Sequence, residues 1–286
     1  MVPEDTNSQP SLPQDHYVDV GTVKTRYWAG GEGRPVVLIH GFADSVETWS
    51  QVFGRLAGHH RVFALDVIGA GRTEKPAGPM PFPKLARFVR DFMDTQGIDK
   101  ASVVGQSMGG GIALSLAIRW PEKIDKLIIV DSAGLGRDLP LALRICTLPG
   151  IGWFLTRGTR KQTASFLRRC VHDPALMTTE LVETVCERGR LPDAHAAMRA
   201  WLRSNADLGG WRNDVVRPIV EKLGFITAPT LIVWGRQDWV IPVSHASVAG
   251  KGIPGARLHV FDPCGHVPQL ERAEEFGSLV VEFLGG

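Results

Sequence analysis

The sequence predicts an α/β protein: a mostly parallel, doubly wound sheet interrupted by one helical insertion. Three observations carry this. Short β-branched runs alternate with amphipathic helical stretches as far as residue 130, the order expected for strands covered by helices on both faces. The rhythm stops between residues 135 and 211, where the chain is helical in flavour and contains no buried-strand run. It resumes at residue 229 and ends in an amphipathic C-terminal stretch.

The elements follow in order. Lys24 to Trp28 reads as an early strand ending at Gly30-Gly31. Pro35-Val36-Val37-Leu38-Ile39 and Arg61-Val62-Phe63-Ala64-Leu65 are continuous apolar runs of strand length. Pro83 to Thr95 has helical spacing, with Leu85, Phe88, Val89 and Phe92 on one face. Ala101 to Val104 is a strand, Met108 to Arg119 a helix stopped before Pro121, and Leu127 to Val130 a strand. Pro229 to Trp234 and Arg257 to Phe261 complete the sheet, and Ala273 to Leu284 is the last helix. The organisation is therefore a flexible segment over 1–15, polar and proline-rich, a core over 16–134 and 212–286, and a helical insertion over 135–211.

Composition permits such a core and excludes several classes. The 286 residues are 44% hydrophobic and 22% charged, enough to bury a core without disulfides or metals. Net charge is +2, which gives no overall case for nucleic acid or a membrane as partner. Cys146, Cys170, Cys186 and Cys264 form no C-x-x-C pair, so zinc and thioredoxin-like readings lack support. The first residues lack the basic and apolar regions of a signal peptide, and no apolar run reaches the roughly 18 residues of a membrane span. The expectation is a cytoplasmic protein with reduced thiols. The insertion differs in charge: between Arg137 and Arg212 twelve Lys/Arg face seven Asp/Glu, which leaves the rest of the chain slightly acidic.

Gly105-Gln106-Ser107-Met108-Gly109 carries the chemistry. It is a G-x-S-x-G placed after a β-branched run and before a helical one, the context in which a strand turns abruptly into a helix and lifts the serine above the sheet. A serine hydroxyl needs a base, and the base needs an orienting carboxylate. Among nine histidines, His266 lies in a turn after the last strand, in Asp262-Pro263-Cys264-Gly265-His266-Val267-Pro268. His16, His59, His60, His172, His195, His245 and His259 read as surface or core residues. Asp238 leaves the end of a strand in Trp234-Gly235-Arg236-Gln237-Asp238 and is the chosen acid. Asp131, at another strand end, is the alternative. Cys264 reads as a packing residue.

These motifs, with His40-Gly41-Phe42 and the turn Asp66 to Thr73, resemble the α/β-hydrolase fold superfamily from about residue 17 to 284. The turn is similar to D-x-x-G-x-G-x-S, with Thr73 in place of Ser. The order Ser107, Asp238, His266 is the order of that family. The resemblance implies an oxyanion hole from the backbone amides of Phe42 and Met108, with His40 structural. Losing one such donor costs about 2.7–4 kcal/mol of barrier. It also implies that the insertion is a cap whose apolar residues roof a pocket. Leu139, Leu143, Trp153 and Phe154 are candidate lining residues, with Phe42, Val240 and Val267 beside the catalytic positions.

Ser107 argues against haloalkane dehalogenase and epoxide hydrolase chemistry, whose members of this fold carry Asp there. The first expectation is a serine carboxylesterase acting on a small apolar or aromatic ester. The alternative is a C–C hydrolase resembling the meta-cleavage-product hydrolases, which tend to carry Trp where this chain has Val267 and Asn where it has Gln106. A small-molecule receptor on the same fold is the third. No metal or other cofactor is expected: Gly69-x-Gly71 lacks the third glycine of a nucleotide loop.

Overall fold

Alternation along the central strands sends neighbouring side chains to opposite faces of the sheet, and both faces are apolar. Val37 and Ile39 enter one buried cluster, Val36 and Leu38 the other. In the computed structural model, which describes residues 12–285, eight strands form the sheet: His16–Val20 (β1), Val23–Gly30 (β2), Pro35–Ile39 (β3), Arg61–Leu65 (β4), Ala101–Gln106 (β5), Ile124–Val130 (β6), then Thr230–Gly235 and Arg257–Phe261. Ala206–Asp207 (β7) and Gly210–Trp211 (β8) make a separate hairpin, so the last two sheet strands are β9 and β10. The order is β1-β2-β4-β3-β5-β6-β9-β10. β1 and β2 are antiparallel additions, and every pairing from β4 to β10 is parallel.

Helices cover both faces. Ser50–Ala57 (α1) lies on one, while Phe82–Thr95 (α2) and Met108–Arg119 (α3) lie on the other. α2 starts where Pro81 and Pro83 cannot continue a strand, and it buries Phe82, Leu85, Val89 and Phe92. Between β6 and β7 the chain forms Leu141–Ile145 (α4), Ile151–Leu155 (α5), Arg160–Cys170 (α6), Thr179–Gly189 (α7) and Ala194–Asn205 (α8). Thr159 and Gln162 form a reciprocal capping box at the start of α6. Asn213–Val220 (α9), Ser244–Gly252 (α10), Pro268–Glu271 (α11) and Ala273–Gly285 (α12) follow, with α12 joining α1 on its face.

Two expectations change. The expected flexible segment 1–15 lies outside the described residues up to residue 11, but Asp15 is held. It pairs with the buried Arg26 guanidinium at 2.6 Å and accepts from Trp28 Nε1 at 2.9 Å. The strand β1 escaped the sequence reading because its pattern, HYVDV, is only half apolar, as suits a sheet edge.

The helical segment is tied to the core by polar contacts. Asn205 donates to Met80 O at 2.9 Å and accepts from Phe82 N. Arg188 on α7 reaches Asp44 at 3.3 Å and Glu47 at 2.8 Å. His266 N donates to Cys170 O at 2.7 Å. Trp201 on α8 stacks on Phe42 with ring centroids 4.6 Å apart. His245 is buried and bonded to Asp138, joining α10 to the start of the insertion.

Candidate active site

β5 drives straight into α3, and Ser107 is the single residue between them. Its backbone has φ 54 and ψ −114, a conformation costing of order 1–3 kcal/mol for a residue with a side chain. The surroundings hold it there. Ser107 N donates to Val130 O, and Ser107 O accepts from Ala133 N. Only glycine fits on either side: a Cβ on Gly105 would lie 2.2 Å from Gly109 O, and one on Gly109 would lie 2.1 Å from Ile39 O.

β3 ends beside this turn. A Cβ on Gly41 would stand 3.3 Å from Ser107 Cβ, so the Gly41-Phe42 backbone passes directly over the serine. Met108 is the first residue of α3. Neither the Phe42 N–H nor the Met108 N–H has a hydrogen-bond partner among the described residues. Two free donors flank the serine, with the positive end of α3 behind them.

Asp238 and His266 meet at the ends of β9 and β10. His266 Nδ1 donates to Asp238 Oδ2 at 2.8 Å, while Asp238 Oδ1 accepts from Val240 N and Ile241 N at 2.7 and 3.0 Å. The carboxylate is thus fixed on both oxygens. Among the described residues, the hydrogen bond of the imidazole is made by Nδ1, and Nε2 has no protein partner. Ser107, Asp238 and His266 are each 7% exposed, so all three are sheltered from solvent.

Two further residues organise the His266 loop. Gln106 Nε2 donates to His266 O at 2.9 Å, linking the serine turn to the histidine turn. Glu271 accepts from Gly265 N, Val267 N and His172 N, so one carboxylate joins this loop to the chain after α6. Gln106 drew attention in the sequence only as a departure from a motif, and Glu271 lies beyond the stretch Asp262 to Pro268 that points to His266. The Gln106–His266 and Glu271–His172 bonds join residues distant in sequence, and nothing local points to them.

Asp131 lies here as well. Its carboxyl, the Asp238 carboxylate and the His266 ring present atoms that all lie within 4.8 Å of one another. Such a trio has the composition of a metal site, but His266 Nδ1 and Asp238 are already committed to each other. Complete burial, and then the Asp238 charge, push the Asp131 carboxyl well above the usual carboxylate range.

The other motifs are structural. His40 is buried, bonding the Gly41 carbonyl through Nδ1 and accepting from Val67 N at Nε2. Asp66 accepts from Val46 N and Arg72 N, and Thr73 Oγ1 donates to Asp66 O while accepting from Arg26 N. Thr73 does with its hydroxyl what Ser would do. Cys264 is fully buried, and burial pushes its thiol up, away from thiolate chemistry.

The candidate lining residues divide. Phe42 is half-buried against Trp201, which the sequence reading did not tie to the site. Leu139 and Val240 are buried in the main apolar cluster, Leu143 packs against it, and Val267 is half-buried beside His266. Trp153 and Phe154 are not brought to the site. They are 43% and 72% exposed, pack on each other with centroids 4.9 Å apart, and carry Arg157 over the Trp153 ring. α5 is five residues long and buries only Gly152, so its aromatic side turns outward. Among the described residues, no helix is long and apolar enough to cross a membrane.

A family model described as alpha/beta hydrolase fold matches residues 34–273. The chain is 32% identical over 276 residues to a 2-hydroxy-6-oxo-6-(2'-aminophenyl)hexa-2,4-dienoic acid hydrolase of Metapseudomonas resinovorans, covering 94% of this chain and 90% of that protein. A meta-cleavage product hydrolase from Pseudomonas fluorescens superposes with a TM-score of 0.82 at 29% identity, over 96% of this chain and 98% of the other. A bacterial membrane phospholipase A superposes with a TM-score of 0.82 at 26% identity, over 96% and 86%. The sheet order, the strained serine turn and this match over most of the length agree: the chain belongs to the α/β-hydrolase fold family and is a hydrolase.

Proposed function

We propose that the protein cleaves a carbon–carbon bond beside a ketone in a 2-hydroxy-6-oxohexa-2,4-dienoate-type acid, with Ser107, His266 and Asp238 as the catalytic set. The observation that carries this is likeness along the whole length, 32% identity over 276 residues, to an enzyme named for that reaction. The reading revises the order of expectations, in which ester cleavage came first.

The chemistry runs as follows. After the 2-hydroxyl tautomerises to a ketone and C5 takes up a proton, His266 Nε2 accepts the Ser107 proton and Oγ attacks the C6 carbonyl. The oxyanion is held by the Phe42 and Met108 amides, which are free to donate. The C5–C6 bond then breaks. Its electron pair spreads from C5 through the C3–C4 double bond to the C2 ketone, and the imidazolium supplies the proton that the leaving fragment takes up. Water, deprotonated by His266, releases the acyl group from Ser107. Asp238 keeps the imidazole in the tautomer that leaves Nε2 free.

A specific observation supports ester hydrolysis as the second reading. Val267 and Gln106 stand where the C–C hydrolases tend to carry Trp and Asn, and Gln106 is committed to the His266 carbonyl. The same set of groups cleaves an ester without the tautomerisation step. One assay separates the two: purified enzyme with a coloured 6-phenyl dienoate, beside p-nitrophenyl esters of graded chain length. Rapid loss of the dienoate colour, with ester turnover at least about 100-fold slower, supports the first reading; an unchanged dienoate with brisk ester turnover overturns it.

A further inference from the structure

Asp131 is a buried carboxyl beside Asp238 and His266 that the mechanism above leaves without a task. It ends β6 with φ 44, and its backbone N–H donates to Val233 O. Its side chain is fully buried. Oδ1 accepts from Gly235 N at 3.0 Å, so the residue staples the end of β6 to the end of β9, the strand that leads into Asp238. Oδ2 is buried with no partner that could donate to it. The Asp131 carboxyl and the Asp238 carboxylate present oxygens within 4.8 Å of each other.

Two carboxylates this close, both ionised and both dry, repel strongly; one proton between them turns repulsion into a hydrogen bond. The known bonds say which partner carries it. Asp238 accepts from His266 Nδ1, Val240 N and Ile241 N, three donors suited to a charged carboxylate. Asp131 accepts a single amide at Oδ1 and has a bare Oδ2. We propose that Asp131 is a positioning residue that stays protonated and donates its Oδ2 hydrogen to the Asp238 carboxylate, so that the acid of the catalytic set is a carboxyl pair sharing one proton. Complete burial, then the Asp238 charge, acts on Asp131 in the direction that keeps it neutral. The groups facing it are Asp238 from the loop after β9, Glu271 from α11, and His266 and Cys264 from the loop after β10. Of these, Asp238 and Glu271 also disfavour its ionisation.

The donated hydrogen has two effects. It locks the Asp238 carboxyl in the rotamer that meets His266. It also withdraws negative charge from that carboxylate, which eases its pull on the Nδ1 hydrogen of His266. The proposal rests on Asp238 and His266 acting as the catalytic acid and base, but not on whether the bond cleaved is C–C or ester. Its test therefore uses whichever substrate the enzyme turns over, and adds a measurement that needs none.

Asn in place of Asp131 keeps an acceptor for Gly235 N and a neutral donor for Asp238, whereas Ala removes the donor. D131A is expected to lower kcat/KM about 10-fold, as for loss of one hydrogen bond to a charged group. The acidic limb of its kcat/KM profile is expected to move up by about half a unit to one unit. D131N is expected to restore both to near the parent values. If D131N instead moves the acidic limb to lower pH, Asp131 is ionised and the proposal fails. If D131A leaves rate and profile unchanged, Asp131 is only a packing residue and the proposal fails too. Difference infrared spectroscopy covers the case in which D131A does not fold. The parent protein at neutral pH is expected to show a protonated carboxyl C=O band that D131N removes, and absence of that band overturns the proposal.

Discussion

The sheet and the helical insertion solve different problems with the same chain. In the sheet, every residue of β5 is buried, and Ser107 follows it at a strained φ that a residue gains nothing from locally. In the insertion, α4 buries no residue and α5 buries only Gly152, while Leu141, Ile151, Trp153 and Phe154 face outward. The serine turn thus sits on the part that cannot move cheaply. The insertion joins it through Trp201, Leu202 and Trp211 in the main apolar cluster and through named contacts: Arg188 to Asp44 and Glu47, Asn205 to Met80, Cys170 O to His266 N, and the Trp201–Phe42 stack. Holding reacting groups to the tolerance catalysis needs takes a rigid base of this kind.

Four outcomes would sharpen or break that contrast. Ser107→Ala is expected to lower kcat by roughly 10⁴- to 10⁶-fold with no loss of folding, measured by steady-state kinetics and circular dichroism. Gly109→Ala tests how tightly the turn is built. Its Cβ would meet the Ile39 carbonyl at 2.1 Å, so a loss of about 3 kcal/mol, read from the urea midpoint, is expected. A loss under about 0.5 kcal/mol would mean that the core gives way there.

Arg188→Ala cuts a tie between the two regions. Arg188 and Glu47 are 10% and 16% exposed in their side chains, and a loss of about 1–3 kcal/mol is expected. The insertion should become the first site of proteolytic nicking. The same tie has a pH signature. Burial alone would raise the Glu47 carboxyl, but Arg188, Arg26 and the Ser45 hydroxyl outweigh it and hold it at about 2, below its ordinary 4.5. A depressed carboxylate contributes its stabilisation in full above the unfolded value and loses it as pH falls. Stability from this pair should therefore be intact above about pH 5 and fade between about 4.5 and 2. Arg188→Ala should flatten that part of the stability curve; an unaltered slope would remove Glu47 from the account. The smallest effect is expected from Trp153→Ala combined with Phe154→Ser: less than about 0.5 kcal/mol in stability, and kcat/KM within a few-fold of the parent. A large loss of activity would return those residues to the pocket and contradict their outward packing.

The serine turn was legible because its constraints are local. A strand run, two glycines and a helix within a dozen residues leave one way for the backbone to pass, and the motif order then points to Asp238 and His266. The insertion was legible as a region, because a missing strand rhythm is itself a signal, but its facing was not. Helical spacing in α5 cannot say which side meets the core when the helix is barely longer than one turn, and Trp153 and Phe154 are exposed there. Asp15 was read as part of a flexible tail because its neighbours are polar; what holds it is Arg26, whose guanidinium is buried in another strand.

The sequence by itself determined the architecture and the sharp turn that holds Ser107, since each follows from periodicity or from backbone sterics within one short segment. Only the tertiary structure decided which helices of the insertion bury their side chains, that Gln106 and Glu271 hold the His266 loop, and that Asp131 and Asp238 are not alternatives but neighbours. The reason is physical. Parallel strands bring their C-terminal ends together however far apart they lie in the chain, and a carboxyl group's charge is set by what surrounds it there, not by the residues beside it in sequence.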